Sequence, residues 1–474
     1  MVKKILDYNF NLSLPDAENF KKLYTKVRRD SNFGAVFQKG PQEFIAIRDH
    51  FGIVPLYYRK CSVAGTKWSF NYTDLLEASD CIDESILKKY LGLPTTRLFD
   101  LVPDIKIVPP GSVIRVADNH VTLLYTYRVT SQKRLTHSSK KAYLQKLEQS
   151  LETALDRIIL EKEVGLYLSG GMDSGLLGCL LQRRGIIVNA YTALPWGKEG
   201  TEYNFAKINA TKIGTQNHSV VDVSSGNILS YLSSIIQNYG TPHGSSTAIN
   251  VSAIWEETDI RNEKQVFFAQ GLDTFTGSVS GQSNVFFFSK LPFLLRKKIS
   301  SKFLHKNPIV NFLRLTSGGV VDSHKNLTLI PANESTLNKL SLAGIYVGYT
   351  PTDCESLNGP SIKSGQLISN PYYDVDLIEF YLSVPLRYKI GIKFGSKTIL
   401  SIEKKMFREI ALKYLPKELV IRKKGFTLAQ KRSAETRSIF AKLNLKHNLA
   451  ETSDSSKSIC LEVIDNLKMY IAKI

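Results

Sequence analysis

The pattern of hydrophobic and polar positions divides the chain into two parts. The first part, residues 1–127, has short apolar runs separated by glycine, proline and asparagine, a pattern typical of β-strands joined by turns. These runs are FGAVF, FIAIRD, PLYYRK, KWSFNY and SVIRVADNHVTLLYTYRV. The polar stretch that follows is rich in Ser, Thr and Lys, and it predicts a linker over residues 128–143.

The second part, residues 144–474, begins with a different period. Leucine and isoleucine recur every three or four positions in AYLQKLEQSLETALDRIIL, which predicts an amphipathic helix. VGLYL, IIVNAYTAL and HSVVDV then predict strands, and SGLLGCLLQRRG and EYNFAKINATKIG predict helices between them. This alternation predicts an α/β domain with a parallel sheet. The remainder is predicted to be mainly helical, most clearly in LIEFYLSVP and KTILSIEKKMFREIALKYLP.

Composition and cysteine content indicate the class of protein and the cellular compartment to expect. The chain has 474 residues, 43% of them hydrophobic and 22% charged, as in ordinary globular proteins of two domains. Its five cysteines are scattered without a CxxC pair, and no signal-peptide pattern is visible, so we expect a cytoplasmic protein. The most apolar run, over 284–298, is interrupted by Lys290 and Pro292. It is shorter than the ~20 residues that cross a bilayer, so no membrane partner is expected.

The net charge of +19 favours anionic partners without identifying one. The basic residues are spread along the chain and show neither zinc-ligand spacing nor an RNA-binding signature. A solvated basic surface is the simplest interpretation, and an anionic substrate or partner is the alternative. We expect no nucleic-acid partner.

The stretch YLSGGMDSGLLGCLL, which begins at Tyr167, carries the clearest chemistry. A predicted strand there ends in SGGMDS and feeds a helix predicted to begin near Ser174, and anions bind at such strand-to-helix junctions. Gly170 and Gly171 allow close backbone approach, while Ser169 and Ser174 supply hydroxyls. Asp173 would repel a bare phosphate, so its expected role is to hold Mg²⁺ beside one. The stretch is neither a Walker A loop nor GxGxxG.

SGGxDS resembles the pyrophosphate loop (PP-loop) of ATP pyrophosphatases, and longer segments resemble the asparagine synthetase and β-lactam synthetase superfamily. RDHFGIVPLYY (48–58) is similar to the family's glutaminase segment RDRFGIKPLYY, and IKIVPPGSVIRV (105–116) to its PPG turn. NPYYDVDLIEFYLSVPLRYKI (370–390) resembles PFLDRDVVEFALSLPPEYKI, and EKKMFREIALKYLPKELVIRKKGF (403–426) resembles a further family segment. The resemblance implies an α+β, Ntn-hydrolase-like sandwich before a Rossmann-like PP-loop synthetase domain with C-terminal helices.

The resemblance also implies roles for individual residues. ATP and its pyrophosphate would be held by Leu168, Ser169, Gly170, Gly171, Asp173, Ser174, Gly271 and Lys404. Asp173 and Asp273, the latter in AQGLDTFTG, would be the Mg²⁺ ligands. Lys424 would be catalytic by stabilising the oxyanion of the tetrahedral intermediate.

Three departures from the family pattern concern the amine-handling chemistry. Val2 stands where the glutaminase has its nucleophilic cysteine, so we expect no ammonia release and a structural or docking role for the first domain. Leu367 aligns with a glutamate that asparagine and β-lactam synthetases use near the reacting amine. Thr274 replaces a glutamate after Asp273, and Leu272 fills a usually small position. Candidate replacement bases are Tyr346, Tyr349, Asp353 and Glu355, each more simply a loop residue.

Together these features predict an ATP-dependent, AMP-forming ligase whose amine lies on the substrate itself. Among family branches of that kind the chain is most like lasso peptide macrolactam cyclases, where the folded peptide brings amine and acyl group together. The expected substrate is then a precursor peptide, with a leader-peptide protease and a recognition protein as further conceivable partners. The alternatives are a glutamine-independent amidotransferase acting on a sugar acid or other small-molecule carboxylate, a β-lactam-type synthetase, and a non-catalytic scaffold.

Overall fold

The structure is a computed structural model. It describes residues 33–61, 65–87, 101–117, 120–132, 139–194, 201–223, 227–277, 286, 330–346, 349–394, 399–402, 404–421, 434–449 and 455–474. Val2 and Lys424 lie outside these residues. A search of the described helices for a stretch able to traverse a lipid bilayer finds none.

The described N-terminal residues form two antiparallel sheets. Their strands are β1 (Gly34–Gly40), β2 (Glu43–Arg48), β3 (Tyr57–Cys61), β4 (Gly65–Ser69), β5 (Ile105–Ile107), β6 (Ser112–Ala117) and β7 (His120–Thr126). The sheet orders are β1-β2-β6-β7 and β4-β3-β5. Ala46 and Ile114 of the first sheet share a core cluster with Tyr58 of the second, so the sheets pack face to face. The Ntn-hydrolase topology stays a prediction.

A parallel sheet forms the centre of the second part. Its strands are β8 (Glu163–Tyr167), β9 (Ile187–Leu194), β10 (Asn217–Asp222), β11 (Gln265–Phe267) and β12 (Leu367–Ser369), in the order β10-β9-β8-β11-β12. All neighbouring pairs are parallel. The order reverses between β8 and β11, and ligands of open α/β sheets bind at the carboxyl ends of strands at such a switch point. The mixed α/β, Rossmann-like prediction is thereby confirmed for the second part.

The four helices predicted over 142–160, 174–185, 202–214 and 377–385 are present, with ends within three residues of those limits. Helices surround the sheet. They are α1 (Lys140–Ile158), α2 (Met172–Gln182), α3 (Thr201–Ile213), α4 (Ile228–Tyr239), α5 (Ser246–Glu257), α6 (Leu272–Thr276), α7 (Thr336–Tyr346), α8 (Tyr349–Ser364), α9 (Val375–Ser383), α10 (Leu386–Lys389), α11 (Lys405–Ala411), α12 (Lys417–Ile421), α13 (Ala434–Lys446) and α14 (Ser455–Ile471). Ser139 begins α1 by accepting the N–H of Ala142, so the last residues of the predicted linker are helical.

One predicted helix is partly wrong. The apolar run within KTILSIEKK is not helical but forms strand β14 (Ile399–Ile402). It pairs antiparallel with β13 (Gly391–Phe394). Ile399, Leu400 and Ile402 fit either period over so short a run, and pairing with β13 decides the outcome. The helix begins only after Lys404.

The two parts of the chain are packed against each other. Phe51 from the first part and Val129 from the predicted linker lie in the same core cluster as residues of α2 and β8. The Tyr57 hydroxyl and Oγ1 of Thr241 are 3.0 Å apart. The backbone N–H of Val129 donates to the Tyr346 hydroxyl at 2.9 Å. The domain limits at 127 and 143 remain a prediction, but the residues on either side share one hydrophobic interior.

Candidate active site

The SGGMDS stretch lies at the carboxyl end of β8, next to the switch point. Leu168 continues the sheet, with its N–H donating to the Tyr191 carbonyl at 2.9 Å and its carbonyl accepting from the Thr192 hydroxyl at 2.7 Å. Helix α2 begins at Met172, two residues before the predicted start, with Gly171 as its N-cap in an extended conformation. The loop therefore leads directly into a helix N-terminus, whose free N–H groups attract anions.

The two loop serines hold the loop closed. Their hydroxyl oxygens are 3.0 Å apart, the N–H of Ser169 donates to Oγ of Ser174 at 3.1 Å, and the N–H of Gly171 donates to Oγ of Ser169 at 3.1 Å. These hydrogen bonds hold the loop in a tight turn at the start of α2. The predicted phosphate-binding residues are thus brought together in a compact turn.

Helix α3 packs against the SGGMDS loop, a contact that the sequence analysis does not predict. Asn209, which is fully buried, donates from Nδ2 to the carbonyls of Ser169 and Gly171 at 2.9 and 3.0 Å. A Cβ on Gly170 would lie 2.8 Å from Cβ of Phe205, so only glycine allows this approach. Phe205 and Asn209 are four residues apart in EYNFAKINATKIG, a helical spacing that was the available signal.

The second predicted carboxylate follows β11. Gly271 has φ of +100°, a conformation that favours glycine, and it is the N-cap of α6. Asp273 lies in the first turn with its side chain about half exposed. Leu272 and Thr274, the two departures from the family pattern beside it, are buried. Leu272 belongs to the main core, so a large apolar residue at this position serves packing.

Lys404 connects the two carboxylates. Its Nζ lies 2.5 Å from Oδ2 of Asp173 and also contacts Oδ1 of Asp273. The residue precedes α11 in the left-handed region, with φ of +54°, which is uncommon for a residue with a side chain. Burial lowers the pKa of Lys404, but the attraction of both aspartates outweighs it, so the pKa lies above its ordinary value and the ammonium stays charged.

The other predicted residues lie away from this cluster or beyond the described residues. Leu367 pairs with Gln265 at the amino end of β12, about 10 Å of extended chain before the turn at the carboxyl end of the strand. The Tyr346 hydroxyl accepts the N–H of Val129, and burial raises the pKa of Tyr346 to about 12, so the side chain stays protonated at neutral pH and does not serve as a general base. The side chains of Tyr349, Asp353 and Glu355 and all of Lys424 are outside the described residues.

The donor set fits magnesium and a phosphate chain. Two carboxylate oxygens converge on one cationic atom, and Mg²⁺ prefers carboxylate oxygens together with substrate phosphates. The helix N-terminus and the glycine-lined loop lie beside them. Asp173 and Asp273 would hold the metal, which neutralises charge on phosphate oxygens when bound.

The sequence model described as asparagine synthase matches residues 146–310 and 367–468, more than half of the chain. The chain belongs to the asparagine synthase family. Membership of the asparagine synthase family supports an ATP-utilising ligase, and the matched residues include the SGGMDS loop, Asp273, Lys404 and Lys424.

Two further comparisons add little to the family assignment. The structure of NMN synthetase from Francisella tularensis is similar with 15% identity and a TM-score of 0.21, over 55% of this chain and 100% of that one. A likeness of this extent carries no conclusion about the present chain. A sequence comparison with curated proteins finds no match.

Proposed function

We propose that this asparagine synthase family member is an AMP-forming ligase that closes an intramolecular amide, with a lasso-type precursor peptide as its substrate. The observation that carries the proposal is the convergence of Asp173 and Asp273 on Lys404 at the sheet's switch point. Phosphate and metal chemistry are supported there together, beside a helix N-terminus.

The reaction has two steps. A carboxylate oxygen of the substrate attacks the α-phosphorus of ATP, and pyrophosphate leaves. An amine nitrogen then attacks the activated acyl carbon, AMP leaves and the amine gives up a proton. Adenylation is needed because hydroxide is a poor leaving group at neutral pH, whereas AMP is a good one.

The position of each residue in the site indicates the role that it would have in the reaction. The loop formed by Leu168, Ser169, Gly170, Gly171 and Ser174, together with Gly271, would cradle the phosphates through backbone N–H groups and hydroxyls. Lys404 would neutralise charge on the departing pyrophosphate. Lys424 would stabilise the oxyanion formed on the acyl carbon, the role implied by the family resemblance.

A substrate that carries its own amine accounts for the departures from the family pattern. Val2 offers no nucleophile for glutamine, and Leu367 cannot accept a proton. A folded peptide that holds its N-terminal amine against an Asp or Glu side chain supplies the positioning itself, which is worth roughly 7–11 kcal/mol in well-oriented reactions. The net charge of +19 suits an acidic peptide.

The first prediction tests the adenylation step. The full chain with Mg²⁺, ATP and a candidate peptide should release pyrophosphate, and hydroxylamine should trap the activated acyl group as a hydroxamate. Asp173→Asn should lower pyrophosphate release by at least about 100-fold, because it removes charge needed for the metal in the transition state. Asp222→Asn, at the carboxyl end of β10, is the matched control and should retain activity. Equal activity of Asp173→Asn and the parent chain would refute the site assignment.

Mass spectrometry of the product separates the alternatives. A macrolactam is lighter than the peptide by one water and has lost its free N-terminal amine. A product that gains ammonia or an external amine would indicate an amidotransferase. Turnover that is confined to small amino diacids would indicate a β-lactam-type synthetase. A chain that releases no pyrophosphate with any of these acids is a scaffold, and the proposal is then abandoned.

A further inference from the structure

We propose that the turn of residues 370–373, which we call the NPYY turn, is a positioning element that sets the distance between the two metal-binding loops; this rests on the proposed function. The turn follows β12, so it lies at the same edge of the sheet as the SGGMDS loop and the Gly271 turn. Its side chains reach both of the loops that carry the predicted metal ligands.

Asn370 ties the turn to the loop that bears Asp273. Its Nδ2 donates to the carbonyl of Gln270 at 2.7 Å, while its Oδ1 accepts the N–H of Tyr372 at 2.9 Å. Asn370 is 1% exposed, so no water competes for these bonds. The side chain therefore fixes the turn and the start of α6 relative to each other.

Tyr372 ties the same turn to the loop that bears Asp173. Its hydroxyl donates to the backbone carbonyl of Asp173 at 2.9 Å. Its ring also contacts Phe407 edge-on, at 6.3 Å between centroids, in the helix that follows Lys404.

Tyr373 supports the Gly271 turn from the side. A Cβ on Gly271 would lie 2.4 Å from Cζ of Tyr373, so the ring packs directly against the glycine. The ring also contacts Phe51 of the N-terminal part, at 5.7 Å between centroids. The NPYY turn is thus wedged between the first part of the chain and the site.

These contacts join the segments that carry all three charged groups through one turn. The segments that carry Asp173, Asp273 and Lys404 are far apart in sequence, and the NPYY turn touches each of them. A metal held by two carboxylates requires both at a fixed separation, and catalytic groups need placement within about 0.5 Å. The resembling family segment has PFLD where this chain has PYYD, so the hydroxyl of Tyr372 is a feature of this chain.

The test is Tyr372→Phe, which removes one hydroxyl and keeps the ring. Two quantities are measured. Electron paramagnetic resonance gives the binding of Mn²⁺ in the presence of a non-hydrolysable ATP analogue, and a turnover assay gives the Mg²⁺ dependence of pyrophosphate release. We expect the metal concentration at half-saturation to rise about fivefold, the effect of one lost hydrogen bond, with kcat at saturating metal lowered less. Asn370→Asp keeps the acceptor for Tyr372 but loses the donor to Gln270, and it should shift the metal dependence in the same direction.

Tyr381→Phe is the matched control. Tyr381 is a buried tyrosine packed on the same Phe407, and its hydroxyl makes no hydrogen bond within the described part of the chain. Tyr381→Phe should leave the metal dependence of pyrophosphate release unchanged. The inference is overturned if Tyr372→Phe has both the melting temperature and the metal affinity of the parent chain. It is also overturned if Tyr381→Phe shifts the metal dependence as much as Tyr372→Phe does. If the parent chain binds no metal–nucleotide complex, the proposed function itself fails.

Discussion

Lys404 determines the charge balance of the candidate site. Two carboxylates that face one point repel each other unless a cation lies between them, and in this structure the ammonium of Lys404 is that cation. Mg²⁺ would use the same oxygens. The ammonium then has to give up at least one aspartate when metal and nucleotide bind, and the phosphates are the natural new partners for it.

Replacing Lys404 by methionine therefore separates metal binding from nucleotide binding. Without nucleotide, Lys404→Met should bind Mn²⁺ at least about tenfold more tightly than the parent, because a competing positive charge is lost. Its affinity for the metal–ATP complex should fall by a similar factor, since the phosphates lose a cation. Calorimetric titration of metal alone and of metal with the ATP analogue measures both effects.

Lys413→Met is the control for this experiment. Lys413 is more than half exposed and pairs with Glu148 away from the cluster, so its loss should change neither affinity. A Lys404→Met chain that binds metal alone no better than the parent would contradict the view that the lysine occupies the metal's place.

At the scale of elements, the turn of residues 49–54 links the N-terminal sheets to the site. The Asp49 carboxylate accepts the N–H groups of Phe51, Ile53 and Val54 at 3.0–3.1 Å. The neighbouring Arg48, 1% exposed, donates to the carbonyls of Gly52, Val54 and Val108. Held by these hydrogen bonds, the turn places the ring of Phe51 against Tyr373 of the NPYY turn, at 5.7 Å between centroids.

The stability of this turn should depend on pH in a definite direction. Burial raises the pKa of Asp49 to about 6, against about 3.9 for an unfolded chain. The folded state therefore binds more protons between these values, so the contribution of Asp49 to the free energy of unfolding is largest below the unfolded pKa and is lost as pH rises through about 6.

The comparison of the parent chain with Asp49→Asn isolates this contribution, because asparagine does not titrate. The difference in free energy of unfolding, parent minus variant, should fall by about 1 kcal/mol from pH 5 to pH 7. Urea denaturation at a series of pH values provides the measurement. A difference that stays constant or increases with pH would show that the Asp49 pKa is not raised in the fold.

Sequence patterns anticipate the elements better than the contacts between them. Strands β8, β9 and β10 are predicted to within a residue, because each combines a continuous apolar run with flanking turn residues. Asp173 is recognisable because its loop is local. Asn209 and Tyr372 were missed because each acts on a backbone carbonyl more than 30 residues away. A local pattern such as the spacing of Phe205 and Asn209 places a residue on one helix face but does not identify its distant partner. Lys404 was found through family resemblance alone, for the same reason.

At the scale of the whole molecule, the N-terminal part forms one side of the synthetase core. Phe51 and Ile53 are fully buried in the cluster that contains β8 and α2, and Tyr57 and Tyr72 are buried in the cluster that contains α4. Burial of each such side chain contributes roughly 1.5–3 kcal/mol, so the loss of a handful of them exceeds the stability of most domains. We infer that the synthetase part does not fold independently of the first part.

Expression of residues 139–474 alone tests that inference, and this segment keeps α1 and every predicted ligand of ATP and Mg²⁺. We expect it to bind a hydrophobic dye, to melt without a cooperative transition and to fail to bind the metal–ATP analogue, because removal of the N-terminal part uncovers apolar side chains packed with it, among them Tyr373 and residues of α4. Co-expression with residues 1–138 as a separate chain should restore the transition, since the contacts are non-covalent. A segment that melts cooperatively by itself, with the parent's nucleotide affinity, would show instead that the first part only rests on an already stable domain.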